Sequence, residues 1–182
     1  MTIRDMVYVA LFAAIVAVLG LFPPITLPTG VPITAQSLGV MLAGSVIGAK
    51  RGGLALVVFV ALVAVGAPIL AGGRGGFGIF FGPTAGFLLS WPVAAFLIGW
   101  LTERSWHQLS WLRSFAFNVV GGILVIYAAG IPWLVVAADL GLVKAFTGSV
   151  AFIPGDLIKA ALAAFIAVTV KRAYPVIDPR SA

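Results

Sequence analysis

The chain has 182 residues, of which 62% are hydrophobic and only 9% are charged, and its net charge is +6. Soluble domains are close to half apolar and one quarter charged, so this composition excludes a typical soluble enzyme, a disordered tail or a nucleic-acid-binding module. The sequence has no cysteine and one histidine, His107, which excludes disulfides, thiolate nucleophiles and histidine metal clusters. We therefore expect one all-α integral membrane domain over residues 1–182, with no cofactor or metal and no nucleic-acid partner.

Six apolar segments are candidates for membrane-spanning helices, each of which needs about 20 mostly apolar residues. The predicted spans are residues 6–22, 35–49, 53–70, 84–101, 114–131 and 154–170. The second span is short. Residues 132–153 are too polar and interrupted for a further span, and we expect Trp133 to lie at the outer interface, where Trp is favoured.

The basic residues orient the predicted spans. With the N-terminus inside, most of them fall on the cytoplasmic side, namely Arg4, Lys50, Arg51, Arg104, Arg113, Lys171, Arg172 and Arg180. Arg74 and Lys144 fall in outer loops, and Lys159 falls within the sixth span. Because short cytoplasmic loops are rich in Lys and Arg, the pattern predicts that both termini lie inside.

Two outer loops have unusual compositions. The first, residues 22–32, contains four prolines, which favour a stiff, extended path. The other, residues 71–78, is rich in glycine around Arg74, so its backbone can adopt positive φ and approach other groups closely. The pattern fits either two ordinary surface turns or a lid and a ligand-facing turn on the same side.

Ionisable groups within a span are costly and commonly functional, and the sixth span contains Asp156 and Lys159 three residues apart. Pro154 fits the first turn of a helix, so Asp156 is expected near the helix N-terminus, on the same face as Lys159. One interpretation is structural, with Asp156 as a helix cap and Lys159 neutralising it or reaching outward. The other is a polar pocket floor for a ligand that offers both donors and acceptors.

Three other polar side chains have two interpretations each. Gln36 begins the second span and could contact a polar ligand or hydrogen-bond to loop backbone. Arg74 could meet an anionic group or face water. Asn118, in the fifth span, is expected to join helices by hydrogen bonds.

Small residues form a stripe on the first span, Ala10, Ala13, Ala14 and Ala17. Their spacing gives two small-xxx-small pairs, which allow close helix packing either within this chain or against another membrane protein. The sequence has no P-loop, nucleophile elbow or zinc-protease motif. Uphill transport would therefore need a partner or an ion gradient.

Several motifs together resemble the BioY family, the biotin-specific substrate-binding (S) components of energy-coupling factor (ECF) transporters. They occur in the family's order at residues 31–36 (VPITAQ), 71–76 (AGGRGG), 82–87 (GPTAGF) and 154–159 (PGDLIK). The alanine stripe also matches. Three positions differ from frequent family residues: Arg74 adds a charge, Phe87 replaces Tyr and Ala85 replaces Gly.

The resemblance implies the six-helix S-component fold and a biotin site near the outer face of a bacterial cytoplasmic membrane. It places ligand-binding positions at Gln36, Arg74, Phe87, Asp156 and Lys159. It also implies that the alanine stripe docks on a transmembrane coupling subunit driven by a pair of cytosolic ATPases. Biotin has ureido N–H donors and a carboxylate, so we expect Asp156 to accept a ureido N–H and Lys159 to donate to a biotin oxygen.

Other functions remain as alternatives. The chain could be an S component for another vitamin, or a biotin transporter or facilitator that works without partners. A small membrane enzyme is the weakest alternative, since its main acid–base candidates would be Asp156, Lys159, Glu103 and His107.

Overall fold

A computed structural model describes residues 1–26 and 31–177. Predicted features at residues 27–30, including Pro28, and at Arg180 lie outside the described residues. Within them the α-helices are α1 Ile3–Leu19, α2 Gln36–Ile47, α3 Ala49–Ala64, α4 Ala85–Arg104, α5 Trp111–Val119, α6 Ile126–Ala137, α7 Leu142–Val150 and α8 Ile153–Ala173. Short 3₁₀ turns occur at Phe77–Phe81 and Trp106–Gln108.

The first outer connection forms a small antiparallel ladder of β1 Ile25–Thr26 and β2 Pro32–Ile33, with Ile25 opposite Ile33. An extended path was expected here, because proline cannot continue a helix. The ladder brings the chain back to the start of α2, beside the elements that form the candidate site.

Among the described residues, three helices are long and apolar enough to cross a membrane: Ala85–Arg104, Trp111–Ala137 and Ile153–Ala173. α1 and α3 have 17 and 16 residues, and α2 has only 12. Each of the six predicted spans overlaps a helix. Six membrane crossings remain a prediction.

Helix ends differ from the predicted span ends for local reasons. α1 begins at Ile3 because the Thr2 hydroxyl accepts from the Asp5 N–H at 3.2 Å, while Asp5 Oδ2 accepts from the Thr2 N–H at 2.7 Å. This reciprocal cap satisfies two N–H groups that a helix start otherwise leaves open. Gly48, with φ of 86°, separates α2 from α3, so α3 starts at Ala49 rather than residue 53.

The helix that contains the fifth predicted span, 114–131, extends beyond it at both ends. α5 and α6 are joined by a π-helical segment, Val120–Val125, into one continuous helix from Trp111 to Ala137. Pro132 lies inside that helix rather than ending it. α7 then occupies part of the segment that the sequence marked as too polar for a span.

α4 packs against α6 with unusually close backbones. A Cβ at Gly130 would collide with the Phe87 ring, and a Cβ at Gly86 would collide with Trp133. The Trp133 indole N–H also donates to the Gly82 carbonyl at 2.9 Å. These contacts fix the face of α4 that carries Phe87.

The basic residues of the predicted cytoplasmic side gather at one end of the bundle. Arg51 pairs with Asp5 at 2.8 Å and donates to the Val176 carbonyl at 3.0 Å. Arg4 donates to the Tyr174 hydroxyl at 3.1 Å. α1, α3 and the C-terminal segment are thereby held together, at the end away from Asp156.

Candidate functional site

A two-lobed cavity lies between the β1–β2 ladder, called the hairpin below, and helices α2, α4, α6 and α8. Its lobes have volumes of about 70 and 60 Å³. Both lobes are lined by the same five residues, Val31, Pro32, Thr34, Phe87 and Trp91. The first lobe adds Asp156, Lys159, Ser37 and Tyr127, whereas the second adds Gln36, Arg74 and Thr84.

Asp156 and Lys159 form a buried ion pair in the first lobe. Lys159 Nζ lies 3.0 Å from Asp156 Oδ1, and their side chains are 16% and 8% exposed. α8 begins at Ile153, with Pro154 in its first turn as expected, but Asp156 does not cap it. Lys159 does not extend to the surface. The geometry thus disfavours the capping interpretation.

The polar groups around this pair satisfy one another. Lys159 Nζ donates to the Thr34 carbonyl at 2.6 Å, to Ser37 Oγ at 2.9 Å and to Asp156. An ammonium has three N–H groups, so all three are used. The Ser37 hydroxyl in turn donates to Asp156 Oδ1 at 3.1 Å.

Sequence reasoning missed Tyr127. Its hydroxyl donates to Asp156 Oδ2 at 2.7 Å, across from α6. A tyrosine in an apolar segment has no distinguishing pattern, and the π-helical segment just before it changes the register by which its face could be predicted. Ser37 was missed for a similar reason, although its position directly after Gln36 in a short polar stretch could have indicated it.

Aromatic rings form the apolar wall of the first lobe. Phe87, Tyr127 and Phe152 surround one another, with centroid distances of 6.3 to 6.4 Å. Tyr127 meets both phenylalanines at steep angles, 76° and 80°. Such edge-to-face contacts suit rings around an apolar ligand. Phe87 therefore lies on the cavity wall, and its role as a ligand contact stays a prediction.

Gln36 is held by backbone. Its Nε2 donates to the Val16 and Ile69 carbonyls, both at 3.0 Å, and its Oε1 accepts from the Ala71 N–H at 2.9 Å. Both amide N–H groups are thus used. The structure favours the backbone interpretation of Gln36, which joins α1, α2 and the glycine loop beneath the second lobe.

Arg74 lines the second lobe and is half-buried. Leu70 and Arg74 form an antiparallel bridge, and the Arg74 Nε donates to the Ala71 carbonyl at 3.2 Å. The glycine-rich loop, residues 71–78, is therefore an ordered turn at Arg74, and the Arg74 side chain lines the cavity. Asp156 and Lys159 lie in one lobe and Arg74 in the other.

The remaining polar candidates do not join the cavity. Glu103 accepts from the Ala49 N–H at 2.8 Å and so caps α3, while His107 is exposed. Asn118 is fully buried, and neither its oxygen nor its nitrogen has a hydrogen-bond partner among the described residues. The prediction that Asn118 joins helices by hydrogen bonds is wrong for this part of the chain.

Comparison with known proteins identifies the family. The BioY family model matches residues 1–176. The chain belongs to the BioY family. It is 51% identical to the biotin transporter BioY of Rhizobium etli, over 100% of both chains, and 49% identical to the probable biotin transporter BioY of Bacillus subtilis, over 96% of this chain and 94% of that one.

The BioY fold is also seen in a solved relative. The crystal structure of the S-component for biotin from an ECF-type ABC transporter matches with a TM-score of 0.88 and 31% identity, covering 94% of this chain and 95% of the other. The S-component fold expected from the sequence is confirmed.

In this BioY family member the alanine stripe of α1 is divided. Ala10 and Ala14 are exposed, whereas Ala13 is 5% exposed and Ala17 is partly buried against the core. Residues four apart lie on one helix face, so the exposed pair and the buried pair point in different directions. Half of the stripe packs within this chain.

Proposed function

We propose that the chain captures biotin at the outer face of a bacterial cytoplasmic membrane and serves as the S component of an ECF-type transporter. The supporting observation is the ion pair of Asp156 and Lys159 on the aromatic wall of the cavity, in a chain of the BioY family. A charge pair held among rings suits a ligand with a polar ureido group fused to an apolar sulfur ring.

Asp156 has acceptor capacity left for one ureido N–H. Its Oδ1 already accepts from Ser37 and Lys159, whereas Oδ2 accepts only from Tyr127. Each carboxylate oxygen has two lone-pair sites. We therefore place the ureido N–H contact on Oδ2.

Lys159 has no unused N–H group, so its contact with biotin must replace an existing one. The contact with the Thr34 carbonyl is the candidate, because the other two connect Lys159 to the site itself. Thr34 directly follows β2 of the hairpin. Ligand binding would then alter how the hairpin is attached over the cavity.

Arg74 is the proposed partner of the biotin carboxylate. It is the cation that lines the second lobe, and a guanidinium matches a carboxylate in shape and charge. The two lobes would thus divide the ligand, with the ureido ring near Asp156 and the carboxylate near Arg74.

The first experiment is calorimetry of biotin with the purified chain in detergent, using thiamine and riboflavin as controls. Tight binding of biotin alone is expected. Binding of another vitamin in its place, or no binding by a folded sample, would contradict the proposal.

The carboxylate assignment has its own test, the affinity for biotin against that for its uncharged amide. The wild-type chain should prefer biotin, and Arg74→Gln should abolish that preference while lowering biotin affinity about tenfold. Lys144→Gln removes an outer cation on α7 and is the matched control. An unchanged preference in Arg74→Gln would assign the carboxylate to the loop backbone instead.

Uptake would require a transmembrane coupling subunit and a pair of cytosolic ATPases. The exposed alanines, Ala10 and Ala14, are the part of the stripe available for docking on such a subunit. Ala14→Trp should leave biotin binding intact and reduce uptake in cells that express the coupling proteins. Leu162→Trp, at an exposed position of α8, is the control.

Two outcomes would contradict this arrangement. Full uptake by Ala14→Trp would exclude the proposed docking face. Uptake by the purified chain in liposomes, without ATPases, would favour a transporter that works alone. Ala13→Trp is unsuitable because Ala13 is buried in the core.

A further inference from the structure

The exposed faces of α3 and α4 form a long apolar groove that the biotin site does not use. It has a volume of about 450 Å³ and is lined by Lys50, Gly53, Leu54, Val57, Pro92, Val93 and Phe96. The lining side chains other than Lys50 are apolar, and Val57 and Val93 are 49% and 60% exposed. The groove is therefore open along its length.

The groove is built from two helical stripes that meet. Lys50, Gly53, Leu54 and Val57 follow the spacing of one face of α3. The absence of a side chain at Gly53 leaves the α4 wall close, since a Cβ there would lie 3.3 Å from Phe96 Cβ. The stripe of α4 continues from Phe96 to Trp100 and Arg104, at successive spacings of four residues.

One cation, Lys50, lines the groove, and a second, Arg104, lies beyond it at the end of α4. Lys50 lies in the first turn of α3, and a Cβ at Gly99 of α4 would collide with the backbone of Ala49, so the start of α3 meets the end of α4. The Arg104 guanidinium lies 4.4 Å from the centre of the Trp100 ring. Lys50 and the end of α4 that carries Trp100 and Arg104 therefore lie at the same end of the two helices, and Trp is a residue favoured beside lipid headgroups.

These cations also lack acidic partners among the described residues. The neighbouring Arg51 is paired with Asp5, but neither Lys50 nor Arg104 forms an ion pair in the described ranges. Glu103, the acidic residue nearest in sequence to Arg104, accepts from the Ala49 N–H.

We propose that this groove binds an anionic phospholipid, with an acyl chain along the apolar stripes and the phosphate between Lys50 and Arg104. The apolar lining matches a hydrocarbon chain, and the two cations match one phosphate-bearing headgroup at its end. A zwitterionic lipid would fill the same groove but gain less from the cations. The site lies at the opposite end of the bundle from the biotin cavity.

Native mass spectrometry of the purified chain tests this proposal, with equal amounts of phosphatidylglycerol and phosphatidylcholine added to the detergent. The wild-type chain should retain phosphatidylglycerol in preference. Lys50→Gln should weaken that preference about fivefold, as expected for one basic residue at an anionic membrane surface. Arg172→Gln, which removes an exposed cation at the end of α8, should leave the preference unchanged.

A second variant tests the apolar part of the groove. Val57→Phe fills it without touching the cations and should lower retention of both lipids while leaving biotin binding intact. Equal retention of the two lipids by the wild-type chain would overturn the proposal. So would an equal loss in Lys50→Gln and Arg172→Gln, because the effect would then be general surface charge. If Lys50→Gln fails to bind biotin, Arg104→Gln takes its place.

Discussion

The two ion pairs among the described residues lie at opposite ends of the bundle and have different surroundings. Asp156 and Lys159 are 8% and 16% exposed; Asp156 also accepts from Ser37 and Tyr127, and Lys159 also donates to the Thr34 carbonyl. Asp5 and Arg51 are 18% and 25% exposed and lie beside the helix start and the C-terminal segment. The Asp156–Lys159 pair, on the predicted outer side, is more enclosed by protein than the Asp5–Arg51 pair, on the predicted inner side.

This difference in exposure suggests different roles for the two ion pairs, ligand binding for one and helix packing for the other. Buried charges are tolerated only when other groups satisfy them, and the removal of one partner then leaves the other uncompensated. When one partner of a partly exposed pair is removed, water solvates the remaining charge, so the loss of stability is small. The outer pair is thus suited to hold a polar ligand in a fixed geometry, while the inner pair connects α1, α3 and the C-terminal segment.

The largest expected effect is at the outer carboxylate. Asp156→Asn should lower the free energy of unfolding by about 3 kcal/mol, because Lys159 loses its counter-charge in a buried position. Biotin affinity should fall about 100-fold, as expected for the loss of hydrogen bonds to a charged acceptor. Calorimetry and unfolding in mixed SDS micelles measure the two effects. Unchanged affinity would remove Asp156 from the ureido contact.

A pair of double-mutant cycles measures the comparison directly. The cycle of Asp156→Asn with Lys159→Gln should give a coupling energy of about 2 kcal/mol. The cycle of Asp5→Asn with Arg51→Gln should give a much smaller coupling energy, because water screens a partly exposed pair. Equal couplings would mean that burial does not distinguish the two ends.

The phenol oxygen of Tyr127 is expected to contribute less. Tyr127→Phe should cost about 1.5 kcal/mol of biotin binding, or roughly tenfold in affinity. The reason is that the Asp156 carboxylate loses the hydrogen bond that the Tyr127 hydroxyl donates to its Oδ2. Tyr8→Phe makes the same atomic change at the inner end, where the Tyr8 hydroxyl accepts from Arg4 at 3.2 Å. Biotin affinity in Tyr8→Phe should match that of the wild-type chain, and a similar loss in both variants would show that Tyr127 acts through general stability.

The smallest effect concerns salt. Raising the ionic strength from about 0.1 to 1 M shortens the Debye length from about 10 to 3 Å. The coupling between Asp5 and Arg51 should fall towards zero, whereas that between Asp156 and Lys159 should persist. Repeating both cycles in high salt checks this, and a parallel decline would mean that water reaches the outer pair.

The ion pair itself was predictable from sequence, because two charges three residues apart in an apolar span have few other uses. The rest of its network was not. Ser37 and Tyr127 come from other helices, and no local pattern indicates which face of a uniformly apolar helix points inward. Gln36 shows the converse, since it lines the second lobe but its amide is already hydrogen-bonded to backbone groups of Val16, Ile69 and Ala71.

Helix boundaries were predictable only to within several residues. The sequence predicts that the fifth span ends at residue 131, whereas the helix continues through Pro132 to residue 137. Proline inside an apolar helix can be accommodated when neighbouring helices cover it. The division of the alanine stripe was equally hidden. Ala13 and Ala14 are adjacent and chemically identical, and only the position of the neighbouring helices decides which one is buried.

The π-helical segment Val120–Val125 determines how a one-residue deletion in this helix would affect the residues that follow. A π turn holds one residue more than the α turn it replaces, and each residue advances an α-helix by about 100°. If this segment became a regular α-helix with no residue removed, everything beyond it would turn by about 100°. Tyr127 would then leave Asp156, and Gly130 would no longer face Phe87. Deleting one residue at Gly121 or Gly122 removes the extra residue instead, and a regular α-helix then keeps its two halves in phase. The segment therefore holds one extra residue without turning the ligand-facing half of the helix, so a one-residue deletion here should cost ligand binding less than a one-residue deletion in a regular turn of the same helix.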